Sequence, residues 1–286
     1  MRIGATTKTC AILGHPVGHS LSPAMHNAAF EALGLDFVYV AHDVSPAQLP
    51  SAIAGIRALG YRGLSITIPH KVAAAALVDK LDDVAAGIGC INTVVNEAGT
   101  LVGYNSDGRG ALVALRHANA EPQGKNVVVV GSGGAARAIT MTLALEAPPD
   151  KMTIFGIVPQ ELEQLVSDLR TRSSVNVAGV ELAPDNLAAA LAHADLLVQT
   201  TPVGMAPQPD VSPVPANLLH ARLVVLDAIY TPRRTRLIND ALAAGARVVE
   251  GLEMFLGQAM MQFQLFTGQA PPEATMREVV ERQLGR

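Results

Sequence analysis

The sequence contains no tryptophan and only two cysteines, and aromatic residues make up 3% of its 286 positions. Cys10 and Cys90 are too few for a disulfide scaffold, and neither has the CxxC or Cys/His spacing of a metal site. The chain also lacks a long apolar run, so the sequence predicts neither a secretory signal nor a membrane span. We therefore expect a soluble protein of a reducing compartment, the cytoplasm, with no bound metal.

Charge is equally sparse, with a net charge of −4 from 21 basic and 25 acidic residues. This mild balance gives no electrostatic reason to expect nucleic acid or an anionic membrane as a partner. The one small basic cluster, Arg233, Arg234 and Arg236, is interpreted as the solvated start of a helix.

The length and pattern of the chain indicate two α/β domains. Strand-like apolar runs alternate with helix-like segments throughout, which favours parallel sheets. A long loop with five prolines, from Pro202 to Pro215, follows a predicted strand over 195–199, where ligands bind in open α/β sheets. We predict a domain of residues 1–107, completed by the helices of 251–286, and a second domain of residues 108–250.

The segment NVVVVGSGGAARA, residues 126–138, is the clearest local signal. Four valines predict a buried parallel strand, and Gly131, Gly133 and Ala136 fit the G-x-G-x-x-G/A pattern of a dinucleotide-binding turn. Such a turn brings free backbone N–H groups and a helix N-terminus towards a pyrophosphate. The alternative is a tight strand-to-helix turn without a ligand.

Four short segments in the first domain are more polar than folding alone requires. Ser20 and Ser22 precede a helix and could donate to a carboxylate, although Ser22 could equally be an N-cap. Asn92 opens an apolar strand, and Asp107 opens a long helix, where it too could be only a cap.

Lys71 follows Ile66-Thr67-Ile68-Pro69-His70 at the first turn of a helix, where the helix dipole opposes a positive charge. A residue placed against local preference is a functional candidate, although a surface lysine is the alternative. If Lys71 met Asp107, the carboxylate could hold the ammonium for proton transfer.

Eight motifs in order resemble the shikimate dehydrogenase family: GHPVGHSLSPAMHNAAF, ITIPHK, INTV, GYNSDG, VVGSGGAARA, TTPVGM, DAIYTPRRTRL and EGLEMFLGQA. The similarity extends from about Cys10 to Thr267. It implies an α/β fold with an N-terminal substrate domain and a Rossmann-like, doubly wound nucleotide domain. It also implies hydride transfer between a nicotinamide cofactor and C3 of shikimate, giving 3-dehydroshikimate.

The resemblance assigns roles to individual residues. Lys71 would be the acid/base group, paired with Asp107, and Ser20 and Ser22 would bind the substrate carboxylate. The other implied substrate ligands are Thr67, Asn92, Tyr230 and Gln258. The implied cofactor ligands are Gly131, Ser132, Gly133, Gly134 and Ala135 at the pyrophosphate, Phe155, Gly156 and Ile157 at the next strand end, and Ala228 and Gly251 near the nicotinamide.

The sequence departs from the family pattern at the residues that distinguish NADP from NAD. NADP-dependent members carry Asn-Arg-Thr after the second strand of the nucleotide domain, whereas this chain has Gly156-Ile157-Val158. An acidic residue that would bind the ribose of NAD is also missing there. The choice between NADP and NAD therefore stays open.

Two smaller departures are Ser65 and Ser106, where many members have asparagine and threonine. The Ser20-x-Ser22 pair favours shikimate over quinate, and an NAD-dependent quinate/shikimate dehydrogenase is the first alternative. The second alternative is a non-catalytic ligand sensor on the same scaffold. Small molecules are the expected partners, and a homodimer stays open.

Overall fold

The structure is a computed structural model that describes residues 3–285. The chain forms two compact units. Residues up to Ser106 join those from Gln258 onward in the first unit, and Asp107–Gly257 form the second. The assignment of substrate and cofactor to these units remains a prediction.

The first unit contains six strands and the helices that connect them. Its strands are β1 (Lys8–Gly14), β2 (Phe37–Asp43), β3 (Gly63–Ile66), β4 (Lys80–Leu81), β5 (Thr93–Glu97) and β6 (Thr100–Tyr104). Its helices are α1 (Ser22–Ala32), α2 (Leu49–Ala58), α3 (Lys71–Ala75) and α4 (Asp83–Ile88), with a 3-10 turn at Pro46–Gln48 before α2.

The sheet of the first unit is mixed, and the expectation of parallel sheets is wrong there. Its strand order is β2-β1-β3-β5-β6-β4, and β5 runs antiparallel to both β3 and β6. A tight hairpin turn at Ala98-Gly99 reverses the chain between β5 and β6, and both of its residues have positive φ, +52° and +96°. A two-residue turn of this kind matches the twist of antiparallel strands.

The second unit alternates strands and helices as the sequence predicts. Its strands are β7 (Asn126–Val130), β8 (Lys151–Gly156), β9 (Asn176–Glu181), β10 (Leu196–Gln199), β11 (Val224–Asp227) and β12 (Arg247–Val249). Its helices are α5 (Asp107–His117), α6 (Gly134–Glu146), α7 (Pro159–Arg172), α8 (Pro184–Leu191) and α9 (Arg236–Ala243). A further 3-10 turn covers Ala216–Leu218.

All strands of the second sheet are parallel, in the order β12-β11-β10-β7-β8-β9. This is the doubly wound arrangement, in which the strand order reverses between β7 and β10. The four valines of β7 are buried, as a central strand covered on both faces requires. The predicted doubly wound fold is confirmed.

Two helices follow β12, namely α10 (Gly251–Thr267) and α11 (Glu273–Leu284). The end of α10 packs into the first unit, where Phe263 and Phe266 join Phe30 and Tyr39 around the buried ring of His26. Arg62 Nε donates to the Phe266 carbonyl oxygen at 2.9 Å and fixes this end of the helix. Within residues 3–285 the helices are too short or too polar to cross a bilayer.

Candidate active site

The serine pair lies where the chain enters α1. The expectation that Ser22 serves as the N-cap is wrong, because the helix begins at Ser22 and Leu21 holds the cap position. The Ser22 backbone N–H donates to Ser20 Oγ at 3.3 Å, which holds the two residues together. The Ser22 side chain is 4% exposed.

Thr67 and Lys71 lie on the connection from β3 to α3. The Thr67 N–H donates to the Leu13 carbonyl at 2.9 Å and thereby extends the sheet, and Lys71 is the first residue of α3. His70 is buried between them, and its Nε2 lies 2.7 Å from the Val44 carbonyl oxygen. The Lys71 carbonyl also accepts from the Ile91 N–H at 3.0 Å. Backbone hydrogen bonds at Thr67 and at Lys71 itself therefore fix the segment that carries the lysine.

Asn92 is held by both its backbone and its side chain. Its N–H donates to the Tyr104 carbonyl at 3.1 Å, and its carbonyl accepts from the Ile66 N–H at 2.7 Å. Its Nδ2 donates to Ser106 Oγ at 2.9 Å, while the Ser106 N–H donates back to Asn92 Oδ1 at 2.8 Å. Ser106 Oγ lies 3.4 Å from Gln258 Oε1, so Asn92 and Gln258 share one buried polar cluster.

Four further polar residues belong to this cluster, and the sequence did not identify them as site residues. Tyr39 Oη donates to Ser65 Oγ at 2.6 Å, and Ser65 Oγ donates to Gln262 Oε1 at 2.7 Å. Gln262 Nε2 then donates to Thr93 Oγ1 at 3.0 Å. The sequence did carry one signal for them: Ser65 is a polar residue within the apolar strand β3, and Gln262 is a polar residue within the apolar helix α10.

The glycine turn of the second unit connects β7 to α6. Gly131 has a φ of +117°, and a Cβ at this position would clash with Thr200 Oγ1 at the end of β10. Gly133 and Gly134 are exposed, and a Cβ on either would face open space among the described residues. Gly133 holds the N-cap position of α6, and Ala136 is fully buried. The turn thus lies at the switch point of the sheet with its backbone accessible to an anion.

The end of β8, the strand beside β7, differs from the glycine turn in that it carries large apolar side chains. Phe155, a residue of β8, is fully buried, whereas the Ile157 side chain just after the strand is 79% exposed. Gly156 and Ile157 line a cavity of about 710 Å³, together with Glu163 and Glu181. Arg170 also lines the cavity, but its Nε and Nη2 donate to the Val177 carbonyl oxygen.

The loop after β11 carries Ala228 and Tyr230. Buried Asp227 accepts from Thr235 Oγ1 at 2.6 Å and from the Ile229 N–H at 3.1 Å, which fixes the turn. Burial raises the pKa of Asp227 to about 6 despite these two hydrogen bonds.

Gly251 approaches the same turn, since a Cβ on this glycine would clash with the Ile229 carbonyl oxygen. The Tyr230 ring stacks on Phe255 with ring centroids 4.6 Å apart. These contacts hold Tyr230 and Gly251 beside the turn that Asp227 fixes.

Each unit brings its own set of predicted residues together. Asn92 and Gln258 share the hydrogen-bonded cluster of the first unit, and Ser20 and Ser22 lie together at the start of α1. Ala228, Tyr230 and Gly251 share the turn after β11. Lys71 belongs to the first unit and Asp107, the first residue of α5, to the second. Their pairing remains a prediction, as do the individual roles of all these residues.

Comparison with known proteins gives a consistent result over almost the whole chain. Residues 12–94 match the family model described as "Shikimate dehydrogenase substrate binding domain", and residues 251–281 match "Shikimate 5'-dehydrogenase C-terminal domain". A shikimate dehydrogenase (NADP(+)) of Methanopyrus kandleri is 44% identical over 97% of this chain and 96% of its own length.

Two solved structures are similar throughout. The shikimate 5-dehydrogenase of Listeria monocytogenes, in complex with shikimate and NAD, has a TM-score of 0.93, 33% identity and 98% coverage of both chains. The quinate dehydrogenase of Corynebacterium glutamicum, in complex with NAD, has a TM-score of 0.88 and 29% identity, over 96% of this chain and 99% of its own.

Proposed function

Because the chain belongs to the shikimate dehydrogenase family, we propose that it catalyses the reversible, NAD(P)-dependent reduction of 3-dehydroshikimate to shikimate. The observation that carries this proposal is the buried polar cluster that links Asn92, Ser106 and Gln258. A small ring bearing several hydroxyls and a carboxylate is the kind of ligand that such closely spaced donors and acceptors can recognise.

The roles proposed for the residues follow from their chemistry. Ser20 and Ser22 donate to the substrate carboxylate, and Thr67, Asn92, Gln258 and Tyr230 hydrogen-bond the ring hydroxyls and carboxylate. Lys71 and Asp107 form the acid/base group. In the reduction, the Lys71 ammonium stabilises the oxygen that develops negative charge at C3 and then donates a proton to it.

The dinucleotide supplies or accepts the hydride, and the second unit provides groups that fit it. Gly131 allows the tight turn, and Gly133 and Gly134 leave the backbone open to the pyrophosphate. Ala228 and Gly251 flank the nicotinamide in this proposal, on the turn that Asp227 fixes.

We further propose that the dinucleotide is NAD rather than NADP. The exposed Ile157 stands where a guanidinium would bind the 2′-phosphate, and Glu163 and Glu181 line the same cavity. The two carboxylates outnumber the one guanidinium of the cavity, that of Arg170, which already donates to the Val177 carbonyl oxygen. This balance disfavours a further dianionic group but tolerates a neutral ribose hydroxyl.

An NAD-dependent quinate dehydrogenase is the second candidate, because the Corynebacterium glutamicum relative carries that name. The retained Ser20-x-Ser22 pair favours shikimate. A non-catalytic sensor is disfavoured by the presence of both Lys71 and Asp107.

The test is initial rates for shikimate and quinate, each with NAD and with NADP, using purified full-length protein. We expect shikimate with NAD to give the highest kcat/KM. Turnover of quinate alone would contradict the shikimate assignment, and turnover only with NADP would contradict the cofactor assignment. Binding of both ligands without turnover would indicate the sensor.

A further inference from the structure

Gln199 is the last residue of β10 and lies directly before the TTPVGM motif, outside all eight motifs of the sequence. It is fully buried, and its side-chain amide binds the backbone that follows the strand. Its Nε2 donates to the Thr201 carbonyl oxygen at 3.0 Å and to the Val203 carbonyl oxygen at 3.1 Å. Its Oε1 accepts from the Thr201 N–H at 2.9 Å. One buried side chain thus holds three backbone groups of the segment 200–205.

The hydroxyl of Thr201 strengthens this arrangement. Thr201 Oγ1 lies 2.9 Å from Gln199 Nε2 and 3.0 Å from Gln199 Oε1, and it accepts from the Val203 N–H at 3.2 Å. Both polar backbone groups of Val203 are therefore connected to Gln199, one directly and the other through Thr201. Residues 200–205 belong to no helix or strand, so the conformation of the segment depends on these side-chain hydrogen bonds.

The segment 200–205 lies between the two turns that the proposed function assigns to the dinucleotide. At its start it contacts the glycine turn, since a Cβ on Gly131 would lie 2.3 Å from Thr200 Oγ1. On the other side the Ala228 N–H donates to the Gln199 carbonyl oxygen at 2.9 Å. The sheet reverses its strand order between β7 and β10, and ligands of open α/β sheets bind at such a switch point. The segment is therefore placed to border the bound dinucleotide.

We propose, on the basis of the proposed function, that Gln199 is a positioning residue for dinucleotide binding. The side chain is buried below the segment 200–205 and holds it in the arrangement that borders the site. A dinucleotide binds the fraction of molecules that have this arrangement, so loosening the segment weakens the apparent affinity in proportion. Gln199 contacts neither the hydride nor the proton that moves.

The test is the Gln199→Met variant, which keeps the length of the side chain and removes its amide. Calorimetric titration of the free protein should give a Kd for NAD about tenfold higher, as expected if the segment keeps the binding arrangement about a tenth of the time. The Kd for shikimate alone should stay within about twofold. The kcat at saturating NAD should also stay within about twofold, because saturating dinucleotide restores the arrangement. Hydrogen–deuterium exchange of the free protein should be faster at residues 200–205.

Leu191→Ala is the matched control for lost stability. Leu191 is fully buried at the end of α8 in the same unit, so alanine removes packing there and leaves the amide of Gln199 in place. We expect a lower thermal midpoint and an unchanged Kd for NAD.

Thr201→Val gives a second test that keeps Gln199. It removes the hydroxyl between Gln199 and the Val203 N–H but retains the two bonds from Gln199 Nε2 to carbonyl oxygens. We expect a smaller rise of the Kd for NAD, about threefold. If Gln199→Met does not fold, an unchanged Kd in Thr201→Val overturns the inference.

The outcomes separate this inference from the function on which it rests. Wild-type protein that binds neither NAD nor NADP would overturn the proposed function, and this inference with it. A wild type that binds NAD, with a Gln199→Met variant that exchanges faster but has an unchanged Kd, would show a structural role only. Equal rises of the Kd in Gln199→Met and Leu191→Ala, or an equal loss of affinity for shikimate, would likewise overturn the positioning role.

Discussion

In the first unit the candidate binding groups are side chains, whereas in the second they are mainly backbone atoms. Asn92 and Gln258 lie among hydrogen-bonded neighbours drawn from distant parts of the chain. The glycine turn instead depends on missing side chains, since Gly131 leaves space for Thr200 and Gly133 leaves its outer face open. We infer that the first unit selects a ligand by polar pattern and the second by shape and charge.

This difference has a physical basis. A small polyol acid offers many hydrogen-bonding groups, so fixed side chains can distinguish it from close analogues. A pyrophosphate is recognised by N–H groups and a helix dipole, which any sequence supplies once side chains are removed from the turn. Substitutions in the two units should therefore have effects of different kinds.

The largest effect is expected where a side chain takes part in the chemistry. Lys71→Ala should lower kcat by about a hundredfold or more, because the acid/base group is lost. Folding should persist, since Lys71 opens the short helix α3 and is half-buried. Steady-state kinetics and a thermal midpoint measure the two effects.

Lys80→Ala is the control for this substitution, because Lys80 is an exposed lysine of β4 in the same unit. It should leave kcat unchanged. If Lys71→Ala retained wild-type turnover, the acid/base assignment would be wrong.

Two glycines of the turn provide a contrast between folding and binding. Gly133→Ala should weaken dinucleotide binding about thirtyfold, because its methyl group would occupy the space open to the pyrophosphate. It should lower the free energy of unfolding by less than about 1 kcal/mol, since its φ of −77° suits alanine and only the weaker N-cap preference of alanine is lost. Gly131→Ala should weaken binding and also destabilise the protein by about 1–3 kcal/mol, given the strained φ and the clash with Thr200.

Calorimetric titration with NAD and urea unfolding would separate these effects. Equal destabilisation by both alanines would contradict the claim that Gly133 serves the ligand rather than the fold.

The assignment of NAD as the cofactor can be tested at Ile157, which follows the end of β8 in the second unit. Ile157→Arg should lower KM for NADP about tenfold, because a guanidinium would bind the 2′-phosphate through charge-assisted hydrogen bonds. KM for NAD should change little. Ile157→Gln, of similar length but neutral, is the control, and an equal gain from it would refute the electrostatic explanation.

The smallest effect concerns stability and pH. Burial raises the pKa of Asp227 from 3.8 to about 6, so its carboxyl binds a proton more tightly in the folded state. The stability that this proton contributes is complete below the unfolded pKa and is lost as the pH rises through about 6. The wild type should thus lose about 1 kcal/mol relative to Asp227→Asn between about pH 5 and about pH 7.

Urea unfolding of both proteins across that range measures the difference. A difference between wild type and Asp227→Asn that does not vary with pH would show that Asp227 has no raised pKa.

The sequence predicts the second unit well because its signals are local. The valine run, the glycine turn and the alternating helices each lie within one short segment, and the valine run forms β7 with the turn leading into α6. The first unit shows the limit of this approach. The hairpin at Ala98-Gly99 escaped prediction because the strands beside it are short, and it makes the sheet mixed.

The candidate site follows the same division. Ser22, Asn92 and Lys71 could be named from motifs, but Ser65 contacts Gln262 across 197 positions of sequence. No local pattern reports such a contact. The N-cap alternative for Ser22 was wrong because the helix already includes Ser22, and Leu21 takes the cap position.

The most direct test of the account uses shikimate carrying deuterium at C3, incubated with the protein and NAD. Mass spectrometry of the recovered dinucleotide would follow the label. Hydride transfer predicts deuterium in the reduced nicotinamide, together with 3-dehydroshikimate as the product. A dinucleotide that stays oxidised while both ligands bind would contradict the proposed activity.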